Sequence, residues 1–530
     1  MAIGPALQQP LAPGCTQAYL LDLPAGQVVQ GFFESASVTL DLQDAQDQHL
    51  RRLGRASGAA EAFMWITRGP GQERLVATAH AAGPVTADYT LALTKALAPV
   101  PAEHGTRTAQ AAPALPSPEL QALQQALAQG GTTDAFWHER ARIGTPMVEP
   151  LSPTHSLVTF LWRGADQTSV RLFGSPSGNH DPLQRLGTSD VWWASFEMPH
   201  TARLSYRLAP DVPRVQGSAL EQRRAILATA QRDPLNAAFF PLPDGADAAI
   251  DVFQGSSALA LPGAPPQPWT AARPGVARGV LEQHRLTSPV LGNERAVWTY
   301  RPAGAASQAL LVLFDAHAYR ADVPTPTILD NLLAEGLIPP TALVLVGNAS
   351  PEARGTELPP NPAFARFLDE ELMPWVQRQG LAQPAARTVI AGSSYGGLAS
   401  AYAALSHPEW FGNVLSLSGS YWWAPSGHMP GWTMRAYAAA PLQPDHPVRL
   451  YLDAGRYEAA RGGQDGILET NRHLGDVLRA KGYAVTQVEH DTGHDYLHWQ
   501  GSLGCGLVAL LQPQRFAQGL LACTSQAPPR

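Results

Sequence analysis

Between residues 16 and 97 apolar and polar side chains alternate one by one. Ser37-Val38-Thr39-Leu40-Asp41-Leu42 and Tyr89-Thr90-Leu91-Ala92-Leu93 put their apolar members on one face of an extended chain, the period of two expected of a half-buried strand. Turn signals at Pro24-Ala25-Gly26, Gly69-Pro70-Gly71 and Gly83-Pro84 separate such runs, and no helix-period stretch competes. The pattern predicts a small antiparallel β-sandwich over residues 1–97. Residues 98–133 read as a proline- and alanine-rich linker followed by a short helix, a connection that few tertiary contacts should cross. A second β-rich segment spans 134–275, with strand-like runs at 157–162, 169–173, 191–196 and 202–207 spaced as hairpins. From 276 the rhythm changes. Ala309–Phe314, 342–346, 387–391, 413–417 and 448–452 are apolar almost throughout and alternate with helical stretches, as strands covered on both faces of a parallel sheet do. The expected architecture is multidomain: a C-terminal α/β-hydrolase domain, 276–530, preceded by two β-sandwich domains.

Composition narrows the function classes. The chain has 530 residues, a formal net charge of −7 and only two lysines, Lys95 and Lys481. Without a basic run, nucleic acid is excluded as a main partner, and no apolar stretch approaches the roughly 18 residues of a membrane span. Nearly all positive charge is arginine, which suits delocalised anions. Cys505 and Cys523 are close enough in sequence to bridge, while Cys15 lies near the start. The opening residues show no charged and apolar leader, as a mature form would also read, and a periplasmic location is favoured over a cytoplasmic one. Oligomeric state is left open.

The candidate chemistry lies in the α/β segment. Gly392-Ser393-Ser394-Tyr395-Gly396 matches G-x-S-x-G between a β-run ending at Ala391 and a helix-like run from Leu398 to Leu405. Strand, sharp turn and helix form the setting that pushes a serine Oγ out of a sheet, so Ser394 is the expected nucleophile. The base belongs in the loop after the last strand, where Thr492-Gly493-His494-Asp495 follows Tyr483–Glu489. His490, His494 and His498 stand at i, i+4 and i+8, the spacing of metal ligands on a helix. Gly493 and the preceding strand argue against that helix, and no protein metal site is expected. After the penultimate strand, Asp453 and Glu458 compete as triad acid. Asp453 still belongs to the strand, so Glu458, beyond Gly455, is the favoured orienter of His494. Oxyanion donors are expected from the backbone N–H of Tyr395 and from Ala316 or His317 in the loop after Phe314.

These residues belong to an ordered series: Phe136-Trp137, Gly144-Thr-Pro-Met147, Thr159-Phe-Leu-Trp-Arg163, Asp233-Pro-Leu-Asn236, Leu311-Val-Leu-Phe-Asp315, Arg354-Gly-Thr-Glu-Leu-Pro-Pro-Asn361, Ala391–Leu398, Ser418-Gly-Ser-Tyr-Trp-Trp423, Asp453–Glu458 and Gly493-His494-Asp495 with Trp499. In this the chain resembles the enterochelin (ferric enterobactin) esterase family over about 134–515. Residues 16–97 are similar to accessory domains of the pre-peptidase C-terminal type. The esterase resemblance implies hydrolysis of seryl esters in a catecholate siderophore, with iron carried by the ligand and no organic cofactor. Asp315-Ala316-His317 departs from the family's Asp-Gly, Thr492-Gly493 from its Gly-Gly, and the first sandwich is an addition.

A ferric tris-catecholate is bulky, aromatic and trianionic, so its site should offer arginine and aromatic side chains. Arg354, Trp422 and Trp423 are the candidates, all in loops at the carboxyl ends of parallel strands. Their competing roles are core packing for the tryptophans and an ion pair with Glu357 for Arg354. Arg163 and Trp162 belong to the second sandwich and read as interdomain or structural. Two other functions compete: a general carboxylesterase acting on aromatic-acid or carbohydrate esters, and a non-enzymatic binding protein.

Overall fold

The computed structural model describes residues 3–56, 58, 60–80, 86–100, 115–241, 251–460, 465–520 and 523. Most of the predicted linker at 98–117, and the turn at Gly83-Pro84, lie outside them. The chain divides into two compact units. One holds 1–174, 178–199 and 205–259; the other holds 260–530 with the short pieces 175–177 and 200–204.

The first unit is β-rich. Two antiparallel four-stranded sheets form from residues 7–97, and Val38–Asp44 lies inside one of them, against Glu73–Ala79 and His49–Gly54. Val29, Phe33, Leu40, Leu75 and Leu91, drawn from both sheets, share one apolar cluster, which is why their strands alternate. Two further sheets follow, and here the hairpin reading is overturned. His155–Arg163 pairs with Val191–Pro199, whereas Val170–Gly174 pairs with Arg203–Pro210. The four predicted runs thus alternate between the two sheets, because each needs a different neighbour to cover its apolar face. Ser117 caps the short helix Pro118–Ala128 by accepting from Leu120 N–H.

The expectation that few contacts cross the linker is also overturned. Val28, Met64 and Leu97 from the first sheets bury an apolar cluster with Val215, Ala225 and Ala228. Arg51 donates to the carbonyls of Ala228 and Leu227 and lies over the Phe253 ring. A proline-rich connection says how the chain travels, not whether its ends pack.

The second unit carries an eight-stranded sheet, numbered here β1 (Val280–Ser288), β2 (Asn293–Arg301), β3 (Ala309–Phe314), β4 (Thr341–Val346), β5 (Thr388–Ser393), β6 (Asn413–Leu417), β7 (Arg449–Gly455) and β8 (Ala484–His490). Their order is β1-β2-β4-β3-β5-β6-β7-β8. Pairing is antiparallel through β2 against β4 and parallel from there on. Two apolar clusters cover the two faces, so β3, β4, β5 and β6 are buried at every position. That double burial is the origin of their unbroken apolar runs. Among the described residues no helix is long and apolar enough to cross a membrane.

Candidate active site

β5 lies between β3 and β6. It ends at Ser393, and helix α1 (Tyr395–Ser406) starts two residues later. The residue between them, Ser394, holds φ 58° and ψ −120°, a conformation costly to a side-chain-bearing residue and tolerated where the surroundings impose it. Two glycines make the turn possible. A Cβ on Gly392 would stand 2.6 Å from the Gly396 carbonyl carbon, and one on Gly397 would stand 2.6 Å from Ser416 Oγ. Ser394 N–H donates to Leu417 O at 2.9 Å. Its hydroxyl lies 3.3 Å from Ser420 Oγ and makes no hydrogen bond to His494; such bonds are often long in ligand-free sites.

His494 sits in the loop between β8 and helix α2 (Tyr496–Leu511), whose N-cap, Asp495, accepts from Leu497 N–H. Its Nδ1 is 2.5 Å from Glu458 Oε1. The second Glu458 oxygen accepts from Gly455 N–H and from Ser418 Oγ, each at 2.7 Å. Ser418 Oγ in turn accepts from Trp499 Nε1 at 3.0 Å, and the Trp499 ring meets the His494 ring edge-on at 4.8 Å. The imidazole is therefore held by a carboxylate whose remaining acceptor capacity is engaged, an arrangement that fixes tautomer and ring plane. Asp453 is placed elsewhere. Fully buried at the end of β7, it faces His490, His498 and Ser502.

Ala316 and His317 open the turn of helix after β3, just beyond Asp315, which holds φ 55°. Asp315 is wholly buried and accepts from Arg354 through both oxygens, at 2.7 and 2.8 Å, and from Asn348 Nδ2 at 2.8 Å. Burial opposes ionisation of this carboxyl, yet hydrogen bonding and charge from Arg354 outweigh it and hold the group below its usual range. The expected Arg354–Glu357 alternative is corrected: Glu357 bonds Arg295 and Asn293, so the partner of Arg354 is Asp315. The guanidinium lies over the Tyr395 ring at 5.9 Å, and that ring is 6.1 Å from Trp422. Arg354 and Tyr395 thus join the turn that carries Ala316 to the turn that carries Ser394.

The structure separates the two tryptophans. Trp422 is 40% exposed, while Trp423 is partly buried against the core, because its backbone ties into the start of the next helix by accepting from Trp432 N–H. Arg163 pairs with Asp190 in the first unit. Reasoning from sequence did not assign roles to Ser418 and Ser420, although both fall in the quoted run Ser418–Trp423; serine carries too many duties for its type alone to signal one. Ser175 was also missed: its Oγ occupies the position, within 1.8 Å, that a Gly493 Cβ would take.

Two family models match the chain: "Enterochelin esterase, N-terminal" over residues 157–270 and "Putative esterase" over 288–510. The iron(III) enterobactin esterase of Dickeya dadantii is 31% identical over 411 residues, covering 71% of this chain and 93% of that protein. The iron(III) salmochelin esterase of Escherichia coli is 28% identical, covering 73% and 97%. Among solved structures, the enterobactin esterase of Shigella flexneri in the presence of enterobactin superposes with TM-score 0.58 at 29% identity, over 72% of this chain and 98% of that one. With a serine elbow and a carboxylate-held histidine on its eight-stranded sheet, and with a relative 31% identical over 71% of its length, the chain belongs to the enterochelin (iron(III) enterobactin) esterase family.

Proposed function

We propose that the protein hydrolyses ester bonds of a ferric catecholate siderophore of the enterobactin type, releasing iron. The observation that carries the assignment of roles is the 2.5 Å contact between His494 Nδ1 and Glu458 Oε1 in a chain whose relatives are named for iron(III) enterobactin. Ser394 Oγ attacks the ester carbonyl as His494 Nε2 takes its proton, and the Tyr395 N–H with that of Ala316 or His317 receives the oxyanion. Collapse breaks the acyl–oxygen bond, the leaving alkoxide takes the proton from His494, and water then releases the acyl group from Ser394 by the same route. Nε and Nη2 of Arg354 are fixed on Asp315, which leaves Nη1 to meet the anionic ligand, while Trp422 offers an exposed ring to a catecholate face. Trp423 supports that loop. Iron arrives with the substrate, and the acyl chemistry asks for no resident cofactor.

In this reading the part of the chain before the hydrolase at 276–530 is two sandwiches, 1–97 and 134–275, joined by 98–133. The Cys505–Cys523 disulfide supports a periplasmic setting, since such bonds persist where thiols are not kept reduced. The test is to incubate the protein and its Ser394→Ala variant with ferric and iron-free siderophores, then identify products by mass. Linear seryl fragments from wild type alone are expected. Cleavage confined to simple aromatic-acid or carbohydrate esters would instead identify a general carboxylesterase.

A further inference from the structure

Three histidines spaced by four residues do not form a helical metal face here, because His494 turns to Glu458. The other two converge by a different route. His490 ends β8, His498 lies in the first turn of α2, and both point at Asp453 at the end of β7. We propose that Asp453, His490 and His498 form a binding site for one divalent first-row transition cation, zinc or ferrous iron, separate from the catalytic machinery.

Five observations support the site. The donor atoms of the three residues all lie within 4.8 Å of one another. His490 Nε2 is 3.2 Å from Asp453 Oδ2, and His498 Nε2 is 3.1 Å from Oδ1. Ligands 2.0–2.1 Å from a tetrahedral ion stand about 3.3 Å apart, so these spacings suit a shared ion. His490 Nε2, although 3.2 Å from the carboxylate, is left buried without a hydrogen bond. A buried ring nitrogen in that state is costly unless something else meets it.

Beside the cluster is a cavity of about 20 Å³, walled by His490, His498, Ser502 and Cys505 among others. That is room for one water, enough to complete a set of three protein ligands. Ser502 Oγ donates to Asp453 Oδ2 at 2.5 Å, the outer-shell bond that commonly orients a ligating carboxylate. Two imidazoles and one carboxylate suit zinc and also match the donor set of non-haem ferrous sites. An ion here would clamp both ends of the segment that carries His494.

Full-length protein stripped with chelator and desalted should take up one equivalent of Zn²⁺, or of Fe²⁺ under anaerobic conditions, measured by titration calorimetry and by metal analysis after gel filtration. The metal should raise the melting temperature. His490→Gln and His498→Gln should each weaken binding by about 100-fold or more and abolish the melting shift, whereas His494→Ala should keep the full equivalent. Circular dichroism of the metal-free variants establishes that they are folded, and one folded variant suffices. Retention of either metal, or both, with this pattern supports the site and names its ion. Less than a tenth of an equivalent of either in wild type, or binding lost on His494→Ala but kept in the other variants, overturns it.

Discussion

Exchanging Glu458 for glutamine preserves its shape but removes the charge facing His494 Nδ1. Ester hydrolysis should fall about 10³-fold or more, with kcat carrying the loss in steady-state assays. Asp453→Asn should rank the other way. Its carboxylate is wholly buried between His490 and His498, so losing the charge should cost about 3 kcal/mol of stability and little activity in molecules that remain folded. Denaturant melts beside kinetics separate the two outcomes. Arg354 belongs to the same scale. Arg354→Ala would leave Asp315 buried without its counter-charge, at a cost of about 3 kcal/mol near neutrality. In wild type the depressed carboxyl contributes stability above about pH 4, its unfolded value, and loses it as pH falls through the folded one. In the variant burial dominates and raises that carboxyl, so the ionised form is penalised as pH rises. The gap in melting temperature should therefore be widest at pH 7 and close toward pH 4. A neutral ester should lose activity as the turn that carries Ala316 and His317 loosens, and the ferric siderophore should lose more.

At the scale of elements, α2 is tied near its middle by the Cys505–Cys523 bridge, which closes a segment of sequence separation 18. Reduction, or Cys523→Ser, should lower stability by about 3 kcal/mol, read as a shift in the urea midpoint at unchanged slope. The catalytic strands were legible in sequence because burial on both faces leaves no polar interruption. Ala309–Phe314 and Asn413–Leu417 have the bounds their apolar runs set. Strand partners in the first unit were not legible. Spacing shows how far apart two runs lie, whereas the partner of His155–Arg163 is chosen by which apolar face must be covered. The elbow and the histidine loop stood out through glycines at close approaches. The Ser418 relay to Glu458 and Trp499 did not, since nothing but folding brings those three side chains together.

Across the whole molecule, the first two sheets are part of the β-rich unit and not a separable appendage. Deleting residues 1–115 would uncover Val215, Ala225 and Ala228 and remove both carbonyl contacts of Arg51. At about 25 cal/mol per Å² of apolar surface returned to water, a few kcal/mol of that unit's stability should go. We expect the truncated chain to melt earlier and to bind a hydrophobic dye, while hydrolysing a small soluble ester within about threefold of wild type. Retained melting temperature would show that the interface contributes nothing.

The order of parts along the chain has a consequence for the protein's making. Ser394 and His494 are 100 positions apart, and the sheet that unites them is complete only with β8. At about 5–20 residues per second of synthesis, His494 follows Ser394 from the ribosome by roughly 5–20 seconds. During that interval the chain holds the serine of the elbow without the imidazole proposed to activate it. A chain cut short between Ser394 and His494 would hold the entire β-rich unit but lack the Glu458-held imidazole, so hydrolytic competence certifies that synthesis has passed β8 and the loop after it.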